Sequence, residues 1–347
     1  QATPPISRSF NTRATMHRLR CAALHAHRVA AAGRARCMAA GYTTDQVKLM
    51  RERTSAPMKE CVKALKATSG DLDEAIAWLR KAGVASAHKK ADRQASDGAV
   101  VLAADAAGVA CVEVNTETDF VARNTVFQDL AAAVARSCLA MPASSAGAGA
   151  GACDVDVAQL GAAPLASGEE NAPAVADALA LAMTQLGENI VVRRACVLPA
   201  PEEGVVASYV HNAYSAGVGR TAAAVSLVSA AADRDALRSL GEQLAMHIVA
   251  SPPLAVSRDE VPAERIARER EILLAQAEES GKPADVVEKM VEGRLNKYFK
   301  EVALLEQAFV VDEKGAPVKK ALEAAGKRLG APVECTGFVR FAVGEGA

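Results

Sequence analysis

Between residues 43 and 83, apolar positions return every three or four residues, at Val47, Met50, Val62, Leu65, Leu72, Ile76 and Leu79. That is the spacing of helices that each bury one stripe. Polar residues divide the stretch into three. Thr43 with Gln46 forms a capping box that opens Asp45–Arg53. Ser55 caps a second helix, with Pro57 in its first turn, running to about Ala67. Gly70 breaks the chain, and Asp71 with Glu74 caps a third helix, Leu72–Lys81, which Gly83 ends. The shared stripe predicts a three-helix module over residues 43–84, near the roughly 40-residue lower limit for a chain that folds alone. Residues 85–97, rich in alanine and charge, read as a linker.

From Gly98 the period drops to two. Ala99–Ala103 and Val109–Asn115 are strand-like and flank a polar turn, Asp105–Gly108, which predicts a hairpin. Asn124 then caps a helix through Val126, Phe127, Leu130 and Val134. A loop rich in Ala, Gly and Ser from Ser137 to Cys153, a helix near Ala174–Leu186 and a strand from Ile190 follow, with Arg193 and Arg194 expected on its exposed side. The same order recurs farther on. Val205–His211 alternates, a Gly-bearing turn leads to strand-like Ala222–Ser229, and Asp233 or Asp235 opens a helix to Ile248. Two hairpin-plus-helix units predict an α+β fold with a duplicated core and an antiparallel sheet in each half. The first half is residues 98–200; the second begins with residues 201–257.

Val261 to Leu304 is highly charged and helical, broken once at Ser280-Gly281-Lys282-Pro283. Its first helix spaces Ile266, Ile272, Leu273 and Leu274 among charges, and its second Val286, Met290, Leu295 and Phe299. A narrow apolar seam on two helices predicts an antiparallel coiled-coil hairpin over residues 258–305. Strand character returns at Ala308–Val311 and Gly337–Val343, so the hairpin is an insertion and residues 306–347 complete the second half.

Charge changes the picture at the front. The formal net charge is −1, yet residues 1–44 hold seven Arg, no Lys and no acid. Without them, 33 basic side chains face 41 acidic ones, a net of −8. An Arg-rich, acid-free leader has the composition of a transit peptide, here over residues 1–42, addressed to the mitochondrion or alternatively to the chloroplast. The acidic remainder argues against direct binding of nucleic acid. No apolar run is long enough to span a bilayer, so no membrane partner is expected. The eight cysteines form no CxxC pair and have no histidine at ligand spacing, so they read as small buried hydrophobes and no metal is expected.

Catalytic signatures are missing. Gly217-Val218-Gly219-Arg220-Thr221-Ala222 fits a dinucleotide pattern but precedes a strand, where that chemistry needs a helix. Gly281-Lys282-Pro283 lacks the upstream glycine and the hydroxyl of a P-loop. No enzyme activity and no cofactor are expected. The sharpest remaining feature is Phe120, because only 3% of the chain is aromatic and this one sits in a polar run. Thr-Glu-Thr-Asp precedes it and Arg123-Asn124 follow, a setting that suits an exposed loop better than a packed strand. The plainer account makes it a plug of the core.

The run RERTSAPMKECVKALKATSGDLDEAIAWLRKAG resembles the N-terminal module of the elongation factor Ts family, which has the fold of a ubiquitin-associated domain. GENIVVRR, SGKPADVVEKMVEGR and the closing TGFVRFAVGEG are similar to the same family, as is TDFV at Thr118, Asp119, Phe120 and Val121. The resemblance covers residues 51–346. It implies a guanine-nucleotide exchange factor for the GTPase elongation factor Tu, acting without covalent chemistry. It implies partner contacts from Arg51 and Met58 in the front module, from the TDFV loop, from Ile190, and from His211 in SYVHN. Two departures stand out: many relatives carry two successive Met where this chain has Met58-Lys59, and the usual short turn after the His is expanded to NAYSAGVGR. A non-catalytic adaptor that uses the front module for another protein is the competing function, and the TDFV run counts against it.

Overall fold

The computed structural model describes residues 41–54, 56–90, 92–141, 151–168, 171–278 and 283–346. Residues 1–40 of the expected leader, Ser55, the break at residues 280–282 and most of the Ala/Gly/Ser-rich loop lie outside them, whereas Tyr42, at the leader's expected end, is buried in the core of the three-helix module. The chain divides after Ser86 into two compact units, the boundary falling within the last turns of the third helix.

In the first unit, helices α1 (Thr44–Thr54), α2 (Met58–Ala67) and α3 (Leu72–Lys90) enclose Met50, Cys61, Leu65 and Leu79. The first capping box closes both ways: Thr43 N donates to Gln46 Oε1 (2.7 Å) and Gln46 N to Thr43 Oγ1 (3.2 Å). Gln46 Nε2 also donates to the Gly70 carbonyl (2.8 Å), fastening the start of α1 to the turn before α3. Asp71 Oδ1 accepts from Glu74 N (2.8 Å). Only glycine serves at 70, where φ is +89° and a Cβ would lie 2.2 Å from the Gly41 oxygen. Two expectations change. Pro57 precedes the first turn of α2 as its N-cap instead of sitting within it. Helix α3 continues through Gly83 to Lys90, because one glycine costs a helix only about 1 kcal/mol and the alanine-rich stretch beyond favours continuation.

The second unit is built on antiparallel strands β1 (Asp97–Asp105), β2 (Gly108–Thr116), β3 (Cys153–Asp154), β4 (Ile190–Pro199), β5 (Gly204–Ser215), β6 (Val218–Val228) and β7 (Glu334–Ala342). Their order is β3-β4-β2-β1-β6-β5, with β7 on β6. The two expected sheets are therefore one, joined by the short pairing Val100↔Gly219 and Val101↔Val218. Each half nevertheless keeps its own helices and core. On the first half, α4 (Asp119–Ala122), α5 (Thr125–Leu139), α6 (Val157–Ala162) and α7 (Val175–Leu186) cover Val112, Val114, Phe127, Leu160 and Ile190. On the second, α8 (Arg234–Ala250) and a later helix cover Val225, Leu227, Leu244 and Phe338.

Helices α9 (Ala263–Glu278) and α10 (Ala284–Val302) lie in the charged stretch and pack on each other along an apolar seam. The seam is narrower than the sequence suggested. Leu273 and Ala277 meet Val287 and Val291, while Ile272, Leu274 and Val286 face solvent. One residue per turn suffices when only two helices meet. At the base, Arg258 holds Glu306 through both guanidinium ends (2.8 Å each) and stacks 4.5 Å from the Phe299 ring centroid. Beside them His247 is fully buried, with Nε2 2.9 Å from Gln307 Oε1, and Val310 N donates to its Nδ1 (3.3 Å). Burial lowers the His247 pKa below its ordinary value, and the Gln307 contact opposes that only in part. Ala308–Val311, expected as a strand, makes a single bridge from Ala308 to Pro317 before α11 (Val318–Leu329).

Arg193 and Arg194 were expected on an open strand face, and they are half-buried instead. Glu113, fully buried on β2, accepts from Arg193 Nη1 (3.1 Å), Arg194 Nε (2.6 Å) and Gly344 N (2.9 Å). Arg194 also lies 4.2 Å from the Phe341 centroid and donates to the Ala342 carbonyl. A buried carboxylate thus gathers two cations and the end of β7, which explains why both arginines leave the surface.

Among the described residues all cysteines are free. Burial pushes the Cys138 and Cys335 thiols up to about 12 and Cys111 well above the usual range, so these three are poor nucleophiles. Among the described residues no His/Cys/Asp/Glu cluster could hold a metal, and no helix is long and apolar enough to cross a membrane.

Candidate functional site

The segment between β2 and α5 is a single helical turn, not the loop the sequence suggested. Thr118 is extended at the N-cap position, and the turn closes through Ala122 N to Thr118 O (3.3 Å) and Arg123 N to Asp119 O (3.0 Å). Asn124 then caps α5, its Oδ1 accepting from Val126 N (2.9 Å). Within the turn the apolar residues split. Ala122 is fully buried and Val121 packs on the first-half core, which leaves Phe120 on the outer side, 82% exposed. It is not a plug of the core. A large apolar side chain standing in water has most of its transfer free energy still to gain.

The turn is held from outside its own sequence. Gly187, left-handed at φ +86°, ends α7 and presents Glu188. One carboxylate of Glu188 accepts three hydrogen bonds, from Thr116 Oγ1 (2.8 Å), Thr118 N (3.0 Å) and Thr118 Oγ1 (2.6 Å). The favour is returned by Glu117, whose Oε1 accepts from Asn189 N (2.7 Å) and lies 3.5 Å from Arg93 Nη1. Two carboxylates from neighbouring strand ends thus each bind the other segment's backbone. Charge-assisted bonds of this kind are stronger than neutral ones.

Arg123 follows the turn. It pairs loosely with Asp119 (3.7 Å) and lies 5.2 Å from the Tyr214 ring centroid. Tyr214 sits near the end of β5, three residues after His211. The NAYSAGVGR stretch, read as an expanded turn, is mostly strand: β5 continues to Ser215 and β6 starts at Val218. A bulge between Ala213 and Ser215, next to left-handed Asn212 (φ +50°), re-aims the strand end and brings Tyr214 over Arg123. His211 is exposed on β5 opposite Thr221, its Nδ1 3.3 Å from Tyr209 Oη. The structure thus links the hairpin of His211 to the turn of Phe120.

Arg51 and Met58 belong to the first unit, where Arg51 is exposed on α1 and Met58 is 56% exposed at the start of α2. Ile190 corrects an expectation. It is fully buried opposite Thr116 in the first-half core and has no surface to offer a partner. Its service is to anchor β4, which begins beside the Glu188–Asn189 corner. Sequence reasoning missed Glu117, Glu188, Arg123 and Tyr214. Only the i, i+4 spacing of Asp119 and Arg123 was a local signal; the Glu188 contacts span about seventy residues.

Fold and turn define an α+β protein of two hairpin-and-helix halves that presents an aromatic outward from a clasped helical turn. The family described as elongation factor TS matches residues 117–345. Elongation factor Ts of Rhodospirillum centenum is 46% identical over 301 residues, covering 86% of this chain and 92% of that protein. That of Paramagnetospirillum magneticum is 46% identical over 304 residues, covering 88% and 92%, and that of Rhizobium etli 43% over 304, covering 88% and 93%. The chain belongs to the elongation factor Ts family, a family of translation elongation factors.

Proposed function

We propose that this chain is the guanine-nucleotide exchange factor of elongation factor Tu in an organelle, the mitochondrion before the chloroplast, and that it releases GDP without chemistry of its own. The observation that carries the reading is Phe120, exposed at the crest of a turn whose backbone is fixed from two sides. A side chain so placed can enter a pocket of a partner with little further ordering, and aromatic anchors of this kind dominate binding energy. A GTPase holds GDP through its phosphates, the P-loop backbone and Mg²⁺. Entry of Phe120, with Asp119 beside it, displaces the partner's elements around that site and weakens metal and phosphate binding. GDP must then weaken the exchange factor's binding by the same factor, so neither ligand is trapped. His211, Arg51 and Met58 supply further contacts, and the partner is a protein, not nucleic acid or a membrane. The experiment is stopped-flow release of labelled GDP from elongation factor Tu: release should accelerate in proportion to added protein, with no GTP turnover by the protein alone. Unchanged release would overturn the reading.

A further inference from the structure

Phe120 lies on a turn of only four helical residues, and so short a helix does not hold itself together in water. Something else must fix the direction of Phe120 before a partner arrives. The backbone before the turn is gripped at one point, Thr118, whose N–H and hydroxyl both go to the Glu188 carboxylate while Thr116 Oγ1 steadies the same group. After the turn the hold is of another kind: Ala122 is buried, its carbonyl accepts from Gln128 Nε2 (3.3 Å) and the Val121 carbonyl from Asn124 N (2.9 Å), while the exposed Arg123–Asp119 pair at 3.7 Å adds little. The near side of the turn, where the chain leaves β2, therefore rests on Glu188.

We infer that Glu188 is a positioning residue for nucleotide exchange: it touches no partner atom itself but sets the approach of Phe120 by clamping Thr118. This rests on the reading of Phe120 as the inserted side chain. Lose the clamp and Thr118 can leave its extended conformation, letting the turn fray and Phe120 sample orientations that collapse onto the adjacent surface. Binding must then select the competent fraction, and apparent affinity falls by that fraction. The buried side of the turn survives, because Ala122 and Val121 stay packed on the first-half core whether or not Glu188 is present.

The test compares GDP release per folded molecule for Glu188→Ala, Glu188→Gln, Phe120→Ala and the double variant Glu188→Ala/Phe120→Ala, with melting temperature and hydrogen exchange at the Thr118 amide alongside. Glu188→Ala should slow exchange about tenfold, the loss of two charge-assisted bonds that hold one conformation. It should also expose the Thr118 amide. Glu188→Gln keeps an acceptor oxygen for Thr118 N–H and an amide for its hydroxyl, so it should stay within about threefold of wild type. In the Phe120→Ala background, removing Glu188 should cost nothing more, because Glu188 acts through Phe120. If Glu188→Ala exchanges like wild type while Phe120→Ala is slow, the positioning role is wrong and the Phe120 reading stands. A Glu188 effect that persists undiminished without Phe120 makes it a structural residue only and also overturns the inference. If Phe120→Ala itself is as fast as wild type, the underlying reading fails and the inference falls with it.

Discussion

The guanidinium of Arg123 lies 5.2 Å from the centroid of the Tyr214 ring, tying the turn that carries Phe120 to the strand end that carries His211. Tyr214 also packs on the first-half core, so the contact adds a tie between the turn and that core. Exposed cation–π contacts contribute about 0.5–1 kcal/mol. A double-mutant cycle with Arg123→Ala and Tyr214→Ala, read by urea unfolding, should give a coupling of about that size. Additive effects would show that the two side chains are neighbours without interaction.

Glu113 governs a larger share of stability. Glu113→Ala strands Arg193, Arg194 and the Gly344 amide at once. The arginines are half-buried and can turn partly to water, which trims the penalty for an orphaned charge. The expected loss is about 2–3 kcal/mol, seen as a clear fall in melting temperature. GDP release per folded molecule should not change, since Glu113 shares no hydrogen-bond partner with the Glu188 clamp. A variant as stable as wild type would contradict the packing account.

His247 makes stability sensitive to acid. Burial lowers its pKa in the folded chain below the ordinary 6.5, so the unfolded chain binds a proton at a pH where the folded chain does not. This contribution is complete above about pH 6.5 and is lost as the pH falls through the folded value. Burial is the cause, and the local geometry agrees with a neutral ring: Val310 N–H donates to Nδ1, where a proton would face another donor. Unfolding free energies measured at pH 8 and pH 5.5 should fall more steeply for wild type than for His247→Gln. Parallel slopes would rule His247 out as the source.

Much of the fold was legible because it is written locally. The boxes at Thr43–Gln46 and Asp71–Glu74, the Asn124 cap and the turn at Asp105 each depend on residues two or three apart, and each forms its hydrogen bond. Helix α3 outruns its expected end because Gly83 reads as a stop and the alanine- and charge-rich stretch after it as a linker, whereas alanine also favours helix and carries it to Lys90. The strand pairing that makes the two halves one sheet is two residue pairs more than a hundred positions apart, which no periodicity reports. The same holds for the site. The polar run around Phe120 signalled exposure, whereas Glu188 and Tyr214 reach it only through tertiary pairing. The GENIVVRR motif points to Ile190 as a contact, but an apolar side chain at the head of a central strand belongs in the core.

The leader gives a prediction that needs no partner. Residues 1–42 fused to a fluorescent protein should send it to mitochondria, from seven arginines without a single acid. Cytosolic fluorescence would defeat the targeting reading, and a plastid signal would defeat only the choice of organelle.

The central claim is that Phe120 acts on a partner and not on the fold, and one variant separates the two. A buried phenylalanine cut to alanine costs about 3–5 kcal/mol of stability. At 82% exposure Phe120 should cost less than about 0.5 kcal/mol, leaving the melting temperature near wild type. A hot-spot anchor, by contrast, is worth roughly 2 kcal/mol or more of binding, about thirtyfold in an equilibrium. The decisive measurement is stopped-flow release of labelled GDP from elongation factor Tu, at equal folded concentrations of wild type and Phe120→Ala. The account predicts exchange slowed by more than tenfold with the melting temperature unchanged; exchange per folded molecule equal to wild type would contradict it.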